Sequence, residues 1–123
     1  MCPGEVRLLP AAQRALERAV RTAWPREAAA VLGGRRIGAC AHIDQVVPID
    51  GAGDRQGFVV TPAAFAAAAA SIRAADGAWL GFAHSHPGGA AAPSARDRAE
   101  LWRGCVQVIV GGLRPDDLQL AAF

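Results

Sequence analysis

The sequence predicts an α/β domain in which one mixed β-sheet is packed with about three helices. Three observations carry this. Short apolar runs of strand length alternate with segments whose apolar residues recur at helical spacing. No repeat, linker or shift of composition divides residues 1–123, so one domain spans them. Apolar residues make up 52% and charged residues 20%, the balance of a globular chain with a core of its own.

The elements follow in order. Glu5 to Leu9 reads as a strand stopped by Pro10. Ala11 to Trp24 carries Leu16, Ala19, Val20 and Ala23 on one face, which predicts an amphipathic helix ended by Pro25. Ala28 to Leu32 is a short apolar run whose alanines suit helix or strand. The Gly33-Gly34 pair after it favours a hairpin with its turn there. Ile37 to Ile49 predicts one long or bulged strand, and Asp50 to Asp54 a loop. After a brief strand at Phe58 to Val60, Thr61 and Pro62 have the form of an N-cap and first helical residue, opening a helix to about Ala75. Ala78 to Ala83 reads as a buried strand, Ser94 to Arg103 as a third helix stopped by Gly104, and Val106–Val110 and Leu118–Ala122 as closing strands.

Composition narrows the function. The net charge is +2, and all 13 basic residues are arginine, scattered along the chain rather than collected into a stripe. That argues against a nucleic-acid partner. Glu5 and Arg7 interrupt any secretory apolar segment, and the tract Ala66–Ala70 is too short to span a bilayer, so no membrane partner is expected. Cys2, Cys40 and Cys105 are odd in number and form no CxxC pair; Cys40 and Cys105 read as small buried hydrophobes, and the expected location is a reducing cytoplasm. Trp24, Trp79 and Trp102 sit in apolar contexts that suit a core. Monomer and homodimer both stay open.

The chemistry gathers after the buried strand, in His84-Ser85-His86-Pro87, a loop of small residues, then Ser94-Ala95-Arg96-Asp97. If the strand runs on through them, His84 and His86 point to the same face. Two imidazoles, with a carboxylate at Asp97, can converge on one divalent cation. Three such ligands leave a fourth tetrahedral position for water, the arrangement of catalytic rather than structural zinc. Ser94 and Asp97 have a competing explanation, because Ser-x-x-Asp ahead of a helix has the form of a capping box. That reading accounts for neither histidine, nor for the small residues Gly88 to Pro93 that let backbone pass close to a cation.

The spacing HxH, seven residues, SxxD resembles the JAMM motif of the JAB1/MPN/Mov34 metallopeptidases. Pro25-Arg26-Glu27-Ala28-Ala29-Ala30-Val31-Leu32-Gly33-Gly34 is similar to the family's upstream glutamate block, although alanine stands where many members carry cysteine or glycine. The resemblance implies a JAB1/MPN-like fold with a cytidine-deaminase-like layout. It implies His84, His86 and Asp97 as ligands of Zn²⁺, Glu27 as general base and Ser94 as oxyanion stabiliser. Glu27 alone, a single acid after a helix, is more often a solvated surface residue.

The short tail after Asp97 and the minimal loop resemble the compact prokaryotic members. The implied reaction is then zinc-dependent peptidase or isopeptidase cleavage of the amide bond after the C-terminal Gly-Gly of a ubiquitin-like or sulfur-carrier protein. An extended tail could add to a sheet edge, with Val59 and Val60 as candidate edge residues. Two alternatives stand beside it. A RadC-like DNA-associated domain resembles the same motif, but Ser85 stands where asparagine is usual there, and no helix-hairpin-helix segment precedes it. A non-catalytic MPN scaffold loses ligands that this chain keeps. A zinc deaminase is excluded, since no HxE with a following PCxxC occurs.

Overall fold

The structure, a computed structural model, describes residues 5–49, 53–54, 57–58, 60–93 and 105–123. Strand β1 (Val6–Leu8) leads into helix α1 (Pro10–Ala23), and strands β2 (Ala29–Ile37) and β3 (Cys40–Ile49) follow as a hairpin. Two short strands, β4 (Gly53–Asp54) and β5 (Gly57–Phe58), pair with each other. Helix α2 (Pro62–Ala74), β6 (Ala78–Pro87), β7 (Val106–Gly112) and β8 (Gln119–Ala122) complete the order.

The main sheet has six strands in the order β1-β3-β2-β6-β7-β8. Its β1·β3 and β6·β7 pairs are parallel and its other pairs antiparallel, so the expected mixed sheet is found. The described residues hold two helices; the third expected helix, with Trp102, lies outside them.

The helices cover opposite faces of the sheet. Ala12, Leu16 and Val20 of α1 recur every fourth residue and pack with Leu32, Ile43, Leu80, Ala83, Val108 and Val110. Ala68 and Ile72 of α2 pack with Val31 and Phe82, against which Phe65 and Trp79 close an aromatic cluster. Trp24 and Trp79 are both partly buried against these clusters, as expected. Thr61 caps α2 as its sequence predicts, its Oγ1 accepting the Ala64 N–H at 3.1 Å. Pro10 opens α1 as its first residue, where its missing N–H costs nothing.

Three expectations need correction. Gly33-Gly34 is not a turn: β2 runs straight through it, and the chain reverses at Gly38 (φ 63°) and Ala39, with Ile37 opposite Cys40. The glycines are there for close approach instead. A Cβ on Gly34 would stand 1.9 Å from the His42 carbonyl oxygen, and one on Gly33 would meet the Ile72 side chain at 2.6 Å. The register shifts at this point, with Gly33 opposite Gln45 and Gly34 opposite Ile43, which is the bulge anticipated in the long strand. Val60 is no edge residue, since it packs against the cluster beneath α2; Val59 lies outside the described residues. Cys40 is buried as expected but disulfide-bonded, whereas Cys105 is a free thiol. The argument from cysteine usage for a reducing compartment therefore does not extend to Cys40.

Replacing Gly34 with alanine should lower stability by about 1–3 kcal/mol, the usual cost of overpacking, because the obstacle is backbone that cannot step aside. Urea unfolding of Gly34→Ala against the wild type measures this, and an unchanged midpoint would refute the close-approach account.

Candidate metal centre

Strand β6 does not stop at Ala83 but continues through His84 to Pro87. The alternation of a strand then sets Phe82, His84 and His86 on the α2 face and sends Ser85 to the other. His84 is 1% exposed and Ser85 is wholly buried, while His86 is partly open. The two imidazole Nε2 atoms stand 3.1 Å apart. Nitrogens held by one tetrahedral zinc at ~2.0–2.1 Å lie ~3.3 Å from each other, so the pair is close to a ligating arrangement.

Glu27 arrives from the other side. Ala29 lies opposite His84 in the antiparallel β2·β6 pair, so the residues just before β2 run alongside the histidines. Ser85 ties them down: its Oγ accepts the Ala28 N–H at 2.8 Å, and its own N–H donates to the Ala28 carbonyl at 2.9 Å. The carboxylate of Glu27 and the ligand nitrogens of His84 and His86 consequently all lie within 4.8 Å of one another. Three donors of this chemistry, gathered from segments 57 positions apart in the chain, fit a divalent cation such as zinc.

The far side of the histidines is fixed by β7. Gln107 is 7% exposed, and its side-chain nitrogen stands 3.3 Å from His84 Nδ1. His86 Nδ1 donates to the Ala90 carbonyl at 3.2 Å. The loop bearing Ala90 is pressed onto the end of β7, where Gly88 N–H donates to Gly112 and Gly112 N–H donates to Gly89. A Cβ on Gly111 would stand 2.4 Å from the Ala91 nitrogen, so only glycine lets this loop sit where it can hold His86.

Of the five residues expected from sequence, the structure brings Glu27, His84 and His86 together; Ser94 and Asp97 lie outside the described residues. Two further contributors, Ser85 and Gln107, were not singled out as site residues. A signal for Gln107 was present, since it is the one polar residue in Val106-Gln107-Val108-Ile109-Val110. Cys105, just before β7, is partly buried. Burial raises its pKa, outweighing the opposing pull of a backbone hydrogen bond at Phe82 and the charge of Arg36, so its reactive thiolate is scarce.

Residues 9–122 match the family described as prokaryotic homologs of the JAB domain. The chain belongs to that family. A protein of Desulfitobacterium hafniense, solved in solution, is 28% identical with a TM-score of 0.81, over 96% of this chain and 82% of that one. A JAB1/MPN domain protein from Archaeoglobus fulgidus shares the fold at 19% identity and a TM-score of 0.58, over 94% of this chain and 87% of that one. So does a structure described as JAMM, a metalloprotease-like zinc site in the proteasome and signalosome, at 16% identity and a TM-score of 0.57, over 94% and 85%. No curated protein matches. Among the described residues, no helix is long and apolar enough to cross a membrane.

Ser85→Ala should cost about 1–3 kcal/mol by stranding the Ala28 N–H. Thermal unfolding against the wild type checks this, and an unchanged midpoint would refute the anchoring role. Iodoacetamide should alkylate Cys105 slowly at pH 8 in the native protein and quickly in urea; equal rates would contradict the burial effect on the thiol.

Proposed function

We propose that this chain is a zinc-dependent peptidase or isopeptidase that hydrolyses the amide bond after the C-terminal Gly-Gly of a ubiquitin-like or sulfur-carrier protein. The observation that carries the reading is the convergence of Glu27, His84 and His86 on one point at the end of β6. Zinc held there would polarise the scissile carbonyl and lower the pKa of an adjacent water toward about 7.

The chain's own residues divide the remaining work. His84 and His86 offer Nε2 atoms as ligands, and Asp97 is the proposed third. Glu27 takes a proton from the attacking water as its oxygen bonds to the carbonyl carbon. It then passes that proton to the departing amine nitrogen as the C–N bond breaks. Ser94 is assigned to the developing oxyanion.

The substrate class is supported by the surroundings of His86. Gly88, Gly89, Ala90 and Ala91 form a strip almost without side chains, packed on Gly111 and Gly112. A tail ending in two glycines can lie flat on such a strip. It does not pair with β6 up to His84, where β2 occupies one edge and β7 the other. A cytoplasmic location is part of the same proposal, supported by the free thiol of Cys105 and in tension with the disulfide at Cys40.

The test is to incubate the zinc-loaded protein with a carrier protein extended past its Gly-Gly and to follow release by mass spectrometry. Glu27→Gln should keep its zinc and lose about 10²–10⁴-fold in rate, the usual contribution of a general base. His86→Ala should lose zinc and activity together. Cleavage by a metal-free preparation would overturn the reading, and bound zinc without any cleavage would favour a scaffold.

A further inference from the structure

Among the large apolar side chains of the described residues, Leu113 is the most exposed, at 79%. A singly exposed leucine is ordinary on a protein surface. Two things set this one apart: where it stands and how firmly its backbone is held.

Leu113 follows directly on Gly112, the last residue of β7, and Gly112 is bonded twice to the loop beside the candidate metal centre. The Gly88 N–H donates to the Gly112 carbonyl at 2.7 Å, and the Gly112 N–H donates to the Gly89 carbonyl at 2.9 Å. The side-chain-poor strip of residues 88–91 therefore ends against the backbone that carries Leu113. The rest of the β7–β8 connection is fixed as well. The Asp117 N–H closes a turn onto the Arg114 carbonyl at 3.1 Å, and Arg21 of α1 donates its Nε–H to the Pro115 carbonyl at 2.9 Å. A Cβ on Gly112 would stand 2.4 Å from the Asp117 carbonyl oxygen, so the two ends of the connection are pressed together. An apolar group shown to solvent on so constrained a backbone is prepared for contact, because little ordering remains to be done when a partner arrives.

The spacing says what that partner is. His86 lies opposite Gly111 in the β6·β7 register, and Leu113 stands two residues beyond Gly111. At ~3.3 Å per extended residue, that is about 6–7 Å along the strand from the level of His86. Two extended glycines span the same length. A tail with the carbonyl of its final glycine at the two histidines thus brings the residue ahead of its glycines level with Leu113.

We propose that Leu113 is a specificity-determining residue that receives an apolar side chain at the position immediately before the substrate's two glycines. The inference rests on the Gly-Gly peptidase reading above and deepens it by naming the next residue of the tail. A leucine there buries apolar area against Leu113 that a serine cannot. Such a contact is made away from the reacting atoms and is the same in ground and transition states, so it acts on KM rather than on kcat.

The test uses the zinc-loaded protein and two fluorogenic peptides, acetyl-Ala-Leu-Gly-Gly and acetyl-Ala-Ser-Gly-Gly, each joined through its last carbonyl to aminomethylcoumarin. The wild type should show a KM about 10-fold lower for the leucine peptide, the order expected of one buried leucine contact. Leu113→Ser should erase that difference by raising the KM for the leucine peptide. Equal KM values in the wild type, which need no variant to measure, would overturn the role of Leu113 and leave the peptidase reading standing. So would a preference that survives in Leu113→Ser. Cleavage of neither peptide by wild-type protein that holds zinc would overturn the peptidase reading and this inference with it.

Discussion

The site depends on one junction, the pairing of β2 with β6 at Ala28 and Ser85. Ser85 accepts the Ala28 N–H through its hydroxyl and returns a backbone N–H to the Ala28 carbonyl, at 2.8 and 2.9 Å. The buried hydroxyl satisfies a backbone donor just where the β2·β6 ladder ends at Ala29 opposite His84, so the chain entering β2 is held where backbone pairing alone would release it. The glutamate is placed by main chain, which makes its position a property of the sheet rather than of a mobile side chain.

Much of this was legible beforehand. The alternating elements gave an α/β domain, the Thr61-Pro62 pair located the start of α2, and HxH at the end of an apolar strand put two imidazoles on one face. Glu27 was reached only through resemblance, because a lone acid after a helix has no local pattern that separates it from a surface residue. What failed was local inference from glycine. Gly33-Gly34 had the form of a turn, yet its role is set by His42 and Ile72, residues brought near by folding and invisible in the local sequence. Gln107 was missed for a related reason: a polar residue in a strand announces a partner but does not name it.

The two sides of the site differ in kind. On the β2 side, backbone and a buried serine hold Glu27 in one arrangement. On the β7 side, the loop packed on Gly111 fixes His86, while Gln107 meets His84 with a group that can serve as donor or acceptor. A buried polar network is stable only if each member finds a partner in every state it visits.

The two outer strands of the main sheet are its shortest, three residues in β1 and four in β8. They also face one another: Val6 and Leu8 of β1 line the same groove, of about 280 Å³, as Leu120, Ala121 and Ala122 of β8, with Gln13 of α1 between them. The sheet thus curves so that both edge strands border one groove beside α1. Unpaired strand edges invite pairing between molecules, and short edges turned toward each other offer little template for it. The short edges thus limit self-association through the sheet.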